Sequence, residues 1–496
     1  MNASIRRVAL LIVALFAALF VNLNYLQVVR ADDLASNGAN ARRLVEEYES
    51  ERGRILIGDG NATRPIAESV ETGGELKYRR TYASGPRYAH VTGYSSPIFG
   101  RSEIERAFND ELTGNAPEAF ARNLADLIAG RERAGDSVHT TVREAVQQAA
   151  AEGVGNREGA VVALEPRTGA VLALWSSPTY DPNALASHNP ADVRAAWEDL
   201  NADPATPLLN RAVRESYPPG STFKLVTAAA ALESGVSPDQ TFTDPAALDL
   251  PQTTATIGNF SGGTCNGGQP ITLTQALTIS CNTTFAQLGL ELGPDLLAEQ
   301  AERFGFNAEW TFQLPGPGTS QIPTDLDPPA TAQSAIGQRD VRATPLQMAM
   351  VAAAIGNDGV LMTPRIVDRV EDMSGRVIRP FEPEELRLPD QPSAQALSRS
   401  SADALQAMME NVVNAGSGQS AAISGVEVAG KTGTAETGQG RPPTVWFVGF
   451  APADDPTVAV AVVLPDGGGA GSGATGGAVA APVAARVMQA ALDTAQ

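Results

Sequence analysis

The sequence predicts an α+β protein in three successive parts: a membrane anchor, a small mixed N-terminal domain, and a larger C-terminal domain built on a five-stranded antiparallel sheet. Three observations carry that prediction. An apolar run from Val8 to Val29 follows Arg6-Arg7 and is long enough to cross a bilayer. Five short apolar segments (159–166, 169–174, 426–435, 445–450 and 458–464) read as strands, joined locally enough to pair antiparallel. Between the second and third of them, Pro218-Pro219-Gly220-Ser221-Thr222-Phe223-Lys224 runs into the Ala-rich stretch 225–232, which reads as a helix buried on all sides.

In order, residues 1–7 form a cytoplasmic tail and 8–29 the transmembrane anchor, with Asn22, Asn24 and Gln27 near the outer interface. A cleaved signal peptide is the competing reading, but the apolar region is long for one and Val29-x-Ala31 is a poor cleavage site. Both readings place the body of the chain outside the cytoplasm. Residues 30–136 are mixed. Leu34 to Glu51 has helical charge patterning, Arg52 to Gly60 reads as a strand entering an Asp-Gly turn, and Tyr88 to Gly93 and Gly100 to Glu105 read as strand and turn pieces. Nothing there looks chemical, so a spacer or partner-binding domain is expected.

The boundary falls near residue 136, and 137–496 form the larger C-terminal domain. Val138 to Glu152 has the apolar spacing of a helix, and the next two strands are separated by Arg167-Thr168 as in a hairpin. Residues 333–356 read as a loop and then a helix opened by Pro345, with Met348 and Met350 in its core. Arg379 to Pro392 is a Pro-rich surface excursion, and Ser400 to Val413 is a helix. Gly467 to Gly477 is Gly-rich without lysine or phosphate-loop spacing and reads as a mobile loop, before a closing helix over 482–492.

Composition narrows the function. Of 496 residues, 43% are hydrophobic and 19% charged, the profile of a folded chain with two or three domains. A net charge of -20 argues against nucleic acid and against electrostatic docking on anionic lipid. The three histidines, His90, His139 and His188, lack metal-ligand spacing, and neither His-Glu-x-x-His nor Cys-x-x-Cys occurs, so no metal and no cofactor is expected. A Gly-x-Ser-x-Gly elbow is missing too, which weakens a Ser-His-Asp hydrolase.

The sharper signal is Ser221-x-x-Lys224. Three residues apart, the two side chains share one face of the first helical turn. Burial lowers the lysine pKa, and so does the positive end of a helix dipole. A neutral Lys224 can then take the proton of Ser221. Ser-x-x-Lys alone is often accidental. Here it weighs more, because only Lys77, Lys224 and Lys431 are lysines among 36 basic residues, and arginine could not serve as base. Ser280 and Asn282 lie two apart around a non-helical corner, where both can face a cleft; an N-cap for the following helix is the plain alternative. Lys431-Thr432-Gly433-Thr434 sits in a strand, where glycine often marks a close approach of ligand or backbone. Cys265 and Cys281, an even pair in an oxidising compartment, form a candidate disulfide, with two buried free thiols as the alternative.

Ser221-x-x-Lys224, Ser280-x-Asn282 and Lys431-Thr432-Gly433, in that order, resemble the motif trio of the penicillin-binding protein and serine β-lactamase superfamily. Arg52-Gly53-x-Ile55, the 159–182 stretch, Tyr217 to Lys224, and Trp446-Phe447-x-Gly449-Phe450-Ala451-Pro452 look like class B penicillin-binding proteins, nearest the actinobacterial penicillin-binding protein A type. The resemblance implies a transpeptidase domain whose sheet carries helices on both faces, preceded by a non-catalytic dimerisation or pedestal domain.

The function it implies is a peptidoglycan D,D-transpeptidase that cross-links stem peptides through a serine acyl-enzyme and is the target of β-lactams. Carried over, Ser221 is the nucleophile and Lys224 its base. Ser280 relays a proton, and Asn282 binds the substrate amide. Lys431 supplies positive potential, Thr432 and Thr434 hold the terminal carboxylate, and the Ser221 and Thr434 N–H groups form the oxyanion hole. About a hundred residues before the catalytic domain are too few for the family's glycosyl-transferring domain, so a separate glycosyltransferase and other cell-wall synthesis proteins are the expected partners. Cys281 within the second motif departs from the pattern; bridged to Cys265, it would pin the Ser280–Asn282 corner. A carboxypeptidase or β-lactamase-like hydrolase is the nearest rival, and a membrane β-lactam sensor or non-catalytic divisome scaffold is a rival of another class.

Overall fold

The protein is seen in a computed structural model that describes residues 2–30, 45, 47–59, 62–74, 76–119, 134–260, 262–389, 391–438 and 440–495. Helix α1 (Asn2–Asn24) continues into one wider turn, Tyr25–Val29. From Ile5 to Val28 it is long and apolar, and none of it is buried against the rest of the chain. Such a surface suits lipid, and an N-terminal membrane anchor accounts for it. The charge-patterned helix expected over 34–51 lies mostly outside the described residues; 47–49 are helical.

The N-terminal region supplies β1 (Ile55–Asp59), β2 (Ala62–Glu71) and β3 (Tyr78–Tyr82). Next come α2 (Gly85–Thr92), α3 (Glu103–Ala107), β4 (Ser137–Thr140) and α4 (Glu144–Val154). Two expectations are corrected here. Tyr88 to Thr92 is helix, because Pro86 opens it and Tyr88, Ala89 and Val91 all turn to the core, so packing overrides the strand preference of Tyr, Val and Thr. The helix expected from Val138 starts six residues later, at Glu144, since Val138 and His139 pair with Ile55 and Leu56 as strand.

Further on lie β5 (Gly159–Leu164), β6 (Val171–Ser177), the short α5 (Arg211–Arg214) and α6 (Lys224–Glu233). They are followed by α7 (Leu273–Ile279), α8 (Asn282–Arg303), α9 (Pro345–Ile355), β7 (Val367–Glu371) and β8 (Val377–Pro380). The chain closes with α10 (Arg399–Asn414), β9 (Ala429–Ala435), β10 (Thr444–Ala451), β11 (Val458–Leu464) and α11 (Ala481–Ala495).

Two sheets organise these elements. The five-stranded one runs β9-β10-β11-β5-β6, antiparallel throughout. Its strands are buried on both faces, and successive side chains alternate between two cores. Ala160, Val162, Ala459 and Ala461 pack with α9, through Met348 and Val351. Val161, Ala163, Val460 and Val462 pack with α4 and α11, through Val146, Ala150, Val487 and Met488. Helices therefore cover both faces, and β9 is left as an edge.

The other sheet runs β8-β7-β4-β1-β2-β3, with β1 and β4 parallel. It straddles the position near 136, because β4, β7 and β8 come from beyond it. Charges hold this region together. Arg52 Nε and Arg80 Nε each reach the buried Glu105 carboxylate at 2.6 Å. Arg214, just ahead of the 218–224 segment, is held by Glu103 through a two-pronged ion pair of 2.6 and 3.0 Å.

Candidate active site

Gly220–Phe223 form a 3-10 turn that leads into α6, so the helix proper starts at Lys224 and not at Ser221, which makes no side-chain cap. Residues three apart on such a turn lie on one face, which puts Ser221 and Lys224 on the same side of the chain. Gly220 has φ +52, and a Cβ there would crowd Ala435 of β9. On the strand side, a Cβ at Gly433 would stand 2.8 Å from the Pro219 carbonyl. These two glycines let the Ser221 turn lie directly against the edge strand, and Trp446 Nε1 ties the turn down by donating to Pro218 O at 2.9 Å.

The second wall is the corner between α7 and α8. Ser280 ends α7 in the left-handed region (φ 65, ψ 43), an unfavourable conformation for serine that turns its side chain into the cleft. Cys281 next to it is joined to Cys265. Asn282 is the first residue of α8, and that helix start is capped from a distance: Asn259 Oδ1 accepts from the N–H groups of Asn282 and Thr283 at 2.9 and 3.1 Å.

Both lysines converge on this corner. Lys224 Nζ donates to Ser280 O and to Asn282 Oδ1, each at 2.8 Å, and lies 3.4 Å from Ser280 Oγ. Lys431 Nζ donates to Ser280 Oγ at 2.8 Å and to Thr432 O at 3.0 Å. One hydroxyl thus stands between two fully buried amines. Among the described residues, no carboxylate pairs with either. Burial lowers the Lys224 pKa well below its usual value, and the charge of Lys431 adds to the shift. Burial likewise brings Lys431 down to about 7. A neutral amine can accept a proton, which the shift at Lys224 allows.

The remaining predicted residues line the same cleft of 380 Å³: Ser221, Ser280, Asn282, Thr432 and Thr434 all border it. Thr432 Oγ1 shares a 2.6 Å hydrogen bond with Ser417 Oγ, and Thr434 Oγ1 accepts from Gly476 N at 3.3 Å. Sequence reasoning missed Asn259, Ser417, Glu436, Thr475, Gly476 and Gly477, which line it too. Asn259 carries no local signal, since its cap reaches across the fold. Gly476 had one: a Cβ there would sit 2.2 Å from Trp446 O and 2.5 Å from Gly433 O, a close approach of the kind that glycine near a strand can announce.

The family model for the penicillin-binding protein transpeptidase domain matches residues 159–489, and that for the penicillin-binding protein A dimerisation domain matches 52–138. The chain belongs to the penicillin-binding proteins. Among relatives of this penicillin-binding protein, the peptidoglycan D,D-transpeptidase PbpA of Mycolicibacterium smegmatis is 43% identical over 479 residues, 94% of each chain. Its namesake in Mycobacterium tuberculosis is 39% identical over 478 residues, again 94% of each. The solved structure of M. tuberculosis penicillin-binding protein A as a ceftriaxone acyl-enzyme matches with TM-score 0.85 at 39% identity, over 90% of this chain and 100% of that one. The D,D-transpeptidase domain of a peptidoglycan glycosyltransferase from Eggerthella lenta matches with TM-score 0.75 at 38% identity, over 90% and 99%.

Proposed function

We propose that this penicillin-binding protein is a peptidoglycan D,D-transpeptidase acting through an acyl-enzyme on Ser221. The observation that carries the reading is the Ser280 hydroxyl held between two buried lysines, with no carboxylate on either among the described residues, in the cleft that Ser221 also lines. Neutral Lys224 takes the proton of Ser221 Oγ as the oxygen bonds to the carbonyl carbon of the penultimate D-Ala. The C–N bond to the terminal D-Ala then breaks, its nitrogen receiving a proton through Ser280 Oγ while Lys224 replenishes the hydroxyl. An amine of a second stem peptide attacks the ester, passes its proton to Lys224, and Ser221 leaves reprotonated.

Around that chemistry, Asn282 holds the donor's amide, Thr432 and Thr434 hold its terminal carboxylate, and Lys431 supplies the positive field. The N–H groups of Ser221 and Thr434 receive the oxyanion, each worth about 3–4 kcal/mol by analogy with other acyl-transfer sites. Gly433 admits the close approach of the nucleophile's turn. β-Lactams acylate the same serine. The anchor leaves residues 1–7 in the cytoplasm and the catalytic domain on the far side of the plasma membrane, where a separate glycosyltransferase provides the strands to be cross-linked. Labelling with a fluorescent penicillin followed by peptide mass spectrometry tests the assignment: the adduct is expected on Ser221, and an adduct elsewhere, or none, overturns it.

A further inference from the structure

We propose that Glu436 is a specificity residue on the acyl-donor side of the cleft, where its carboxylate selects donors that carry an ammonium group near the scissile bond. The inference rests on the transpeptidase reading above and adds a substrate preference to it. Strand β9 divides its side chains between two directions. Gly433 faces the Ser221 turn, as the neighbours of its absent Cβ show, whereas Thr432, Thr434 and, one residue past the strand's end, Glu436 are two apart and all border the cleft. Side chains on one face of a strand recur roughly every 6.6 Å, so Glu436 stands about 7 Å past Thr434 and about 13 Å past Thr432.

The direction in which a donor lies follows from that order. β9 is the edge of its sheet, and an extended peptide adds to such an edge through main-chain hydrogen bonds. With the donor's terminal carboxylate at Thr432 and its scissile carbonyl at Ser221, the residues before the scissile bond run antiparallel to β9, toward Glu436. Glu436 is the acidic side chain among the described residues lining the cleft, and it is exposed. Among the described residues, none forms an ion pair with it.

On the corner side, the same cleft presents Phe260 and Ile279, 66% and 44% exposed. A donor covering those apolar side chains displaces water, and charge at Glu436 is then felt more strongly. The chemistry recognised is a cation on an extended, partly apolar chain, which in a stem peptide is the free ammonium of its diamino acid.

Three penicillins differ at a single side-chain carbon and serve as probes: benzylpenicillin is uncharged there, ampicillin carries an ammonium and carbenicillin a carboxylate. Second-order acylation constants of the full-length protein are expected to rank ampicillin above benzylpenicillin above carbenicillin, in steps of about two- to fivefold that shrink at 1 M salt. In Glu436→Gln the three should converge while benzylpenicillin stays within about twofold of wild type. In Glu436→Lys the order should reverse. Equal rankings in all three proteins overturn the proposal and leave the transpeptidase reading intact. Loss of benzylpenicillin acylation in both folded variants overturns it as well, by placing Glu436 in the acylation machinery itself. Failure of the wild type to acylate with any of the three sinks the transpeptidase reading, and this inference with it.

Discussion

In the N-terminal sheet, Arg52 and Arg80 close on Glu105, with Tyr82 Oη adding a 3.1 Å hydrogen bond to the same carboxylate. In the cleft, Lys224 and Lys431 are just as buried and meet a hydroxyl, a carbonyl and an amide, with no opposite charge among the described residues. Burial would raise the Glu105 carboxyl, but the two guanidinium groups override it and hold it at about 2. The lysines have no such compensation, so burial drives both down. Paired charges fix a scaffold. Like charges left without a partner cost stability and yield a base, the usual exchange between stability and activity.

Removing one member from each cluster should separate the two roles most sharply. Lys224→Met is expected to lower β-lactam acylation by about 10²–10⁴-fold, the range a general base supplies, with no fall in melting temperature comparable to that of the next variant. Glu105→Ala is expected to cost about 3–5 kcal/mol in denaturant unfolding, because two buried guanidinium groups lose their partner, while acylation per folded molecule persists. If Lys224→Met proves the more destabilising, the contrast between the clusters fails.

The disulfide gives a smaller effect. Cys265→Ser with Cys281→Ser should lower stability by about 2–4 kcal/mol, on the order expected for closing a loop of 16 residues. It should also slow acylation by loosening the Ser280 corner. Thiol labelling of the unfolded, unreduced wild type should find no free thiol.

Dependence on pH sharpens the comparison further. Glu105 is depressed from 4.5 to about 2, so its contribution is complete above pH 4.5 and is lost as pH falls through about 2. Glu105→Gln should flatten the acid limb of unfolding. Lys431 is depressed from 10.5 to about 7, so between those values the unfolded chain binds the extra proton and stability rises with pH. Lys431→Met should remove that slope. In acylation, the acid limb reports deprotonation of Lys224, and the decline near pH 7 reports loss of charge on Lys431. Lys431→Arg keeps its charge and should move only the decline, to higher pH.

The smallest effect tests the corner's distant cap. Asn259→Ala should cost about 1 kcal/mol, the usual worth of an N-cap, and should raise the KM of a donor substrate more than it lowers kcat.

How much of this was legible in the sequence depended on how local the cause is. Burial of both faces of 159–164 and 458–464 writes itself as continuous Val and Ala, so those strands were readable. The residues that meet around the cleft could be picked out because serine, lysine and asparagine at fixed spacings are chemically distinctive. Tyr88 to Thr92 misled because strand-favouring residues there serve a buried helix. Val367-Asp368-Arg369-Val370-Glu371 gave no warning of its place in the sheet, since three of its five side chains are polar and, beside the nearby Val377–Pro380, its other neighbour lies over two hundred residues earlier. Asn259, Ser417 and Glu436 have ordinary surroundings in sequence and acquire meaning only where the fold sets them.

The strand pair at 367–380 has a consequence for how the molecule is made. A ribosome completes 52–140 long before it reaches residue 380, so the early sheet must wait, one edge open, until more than two thirds of the chain has been synthesised. The N-terminal region cut free at 136 would lack half its strands and would be a poor choice for expression by itself. A split protein should recover its shape only when the missing ribbon is supplied in trans.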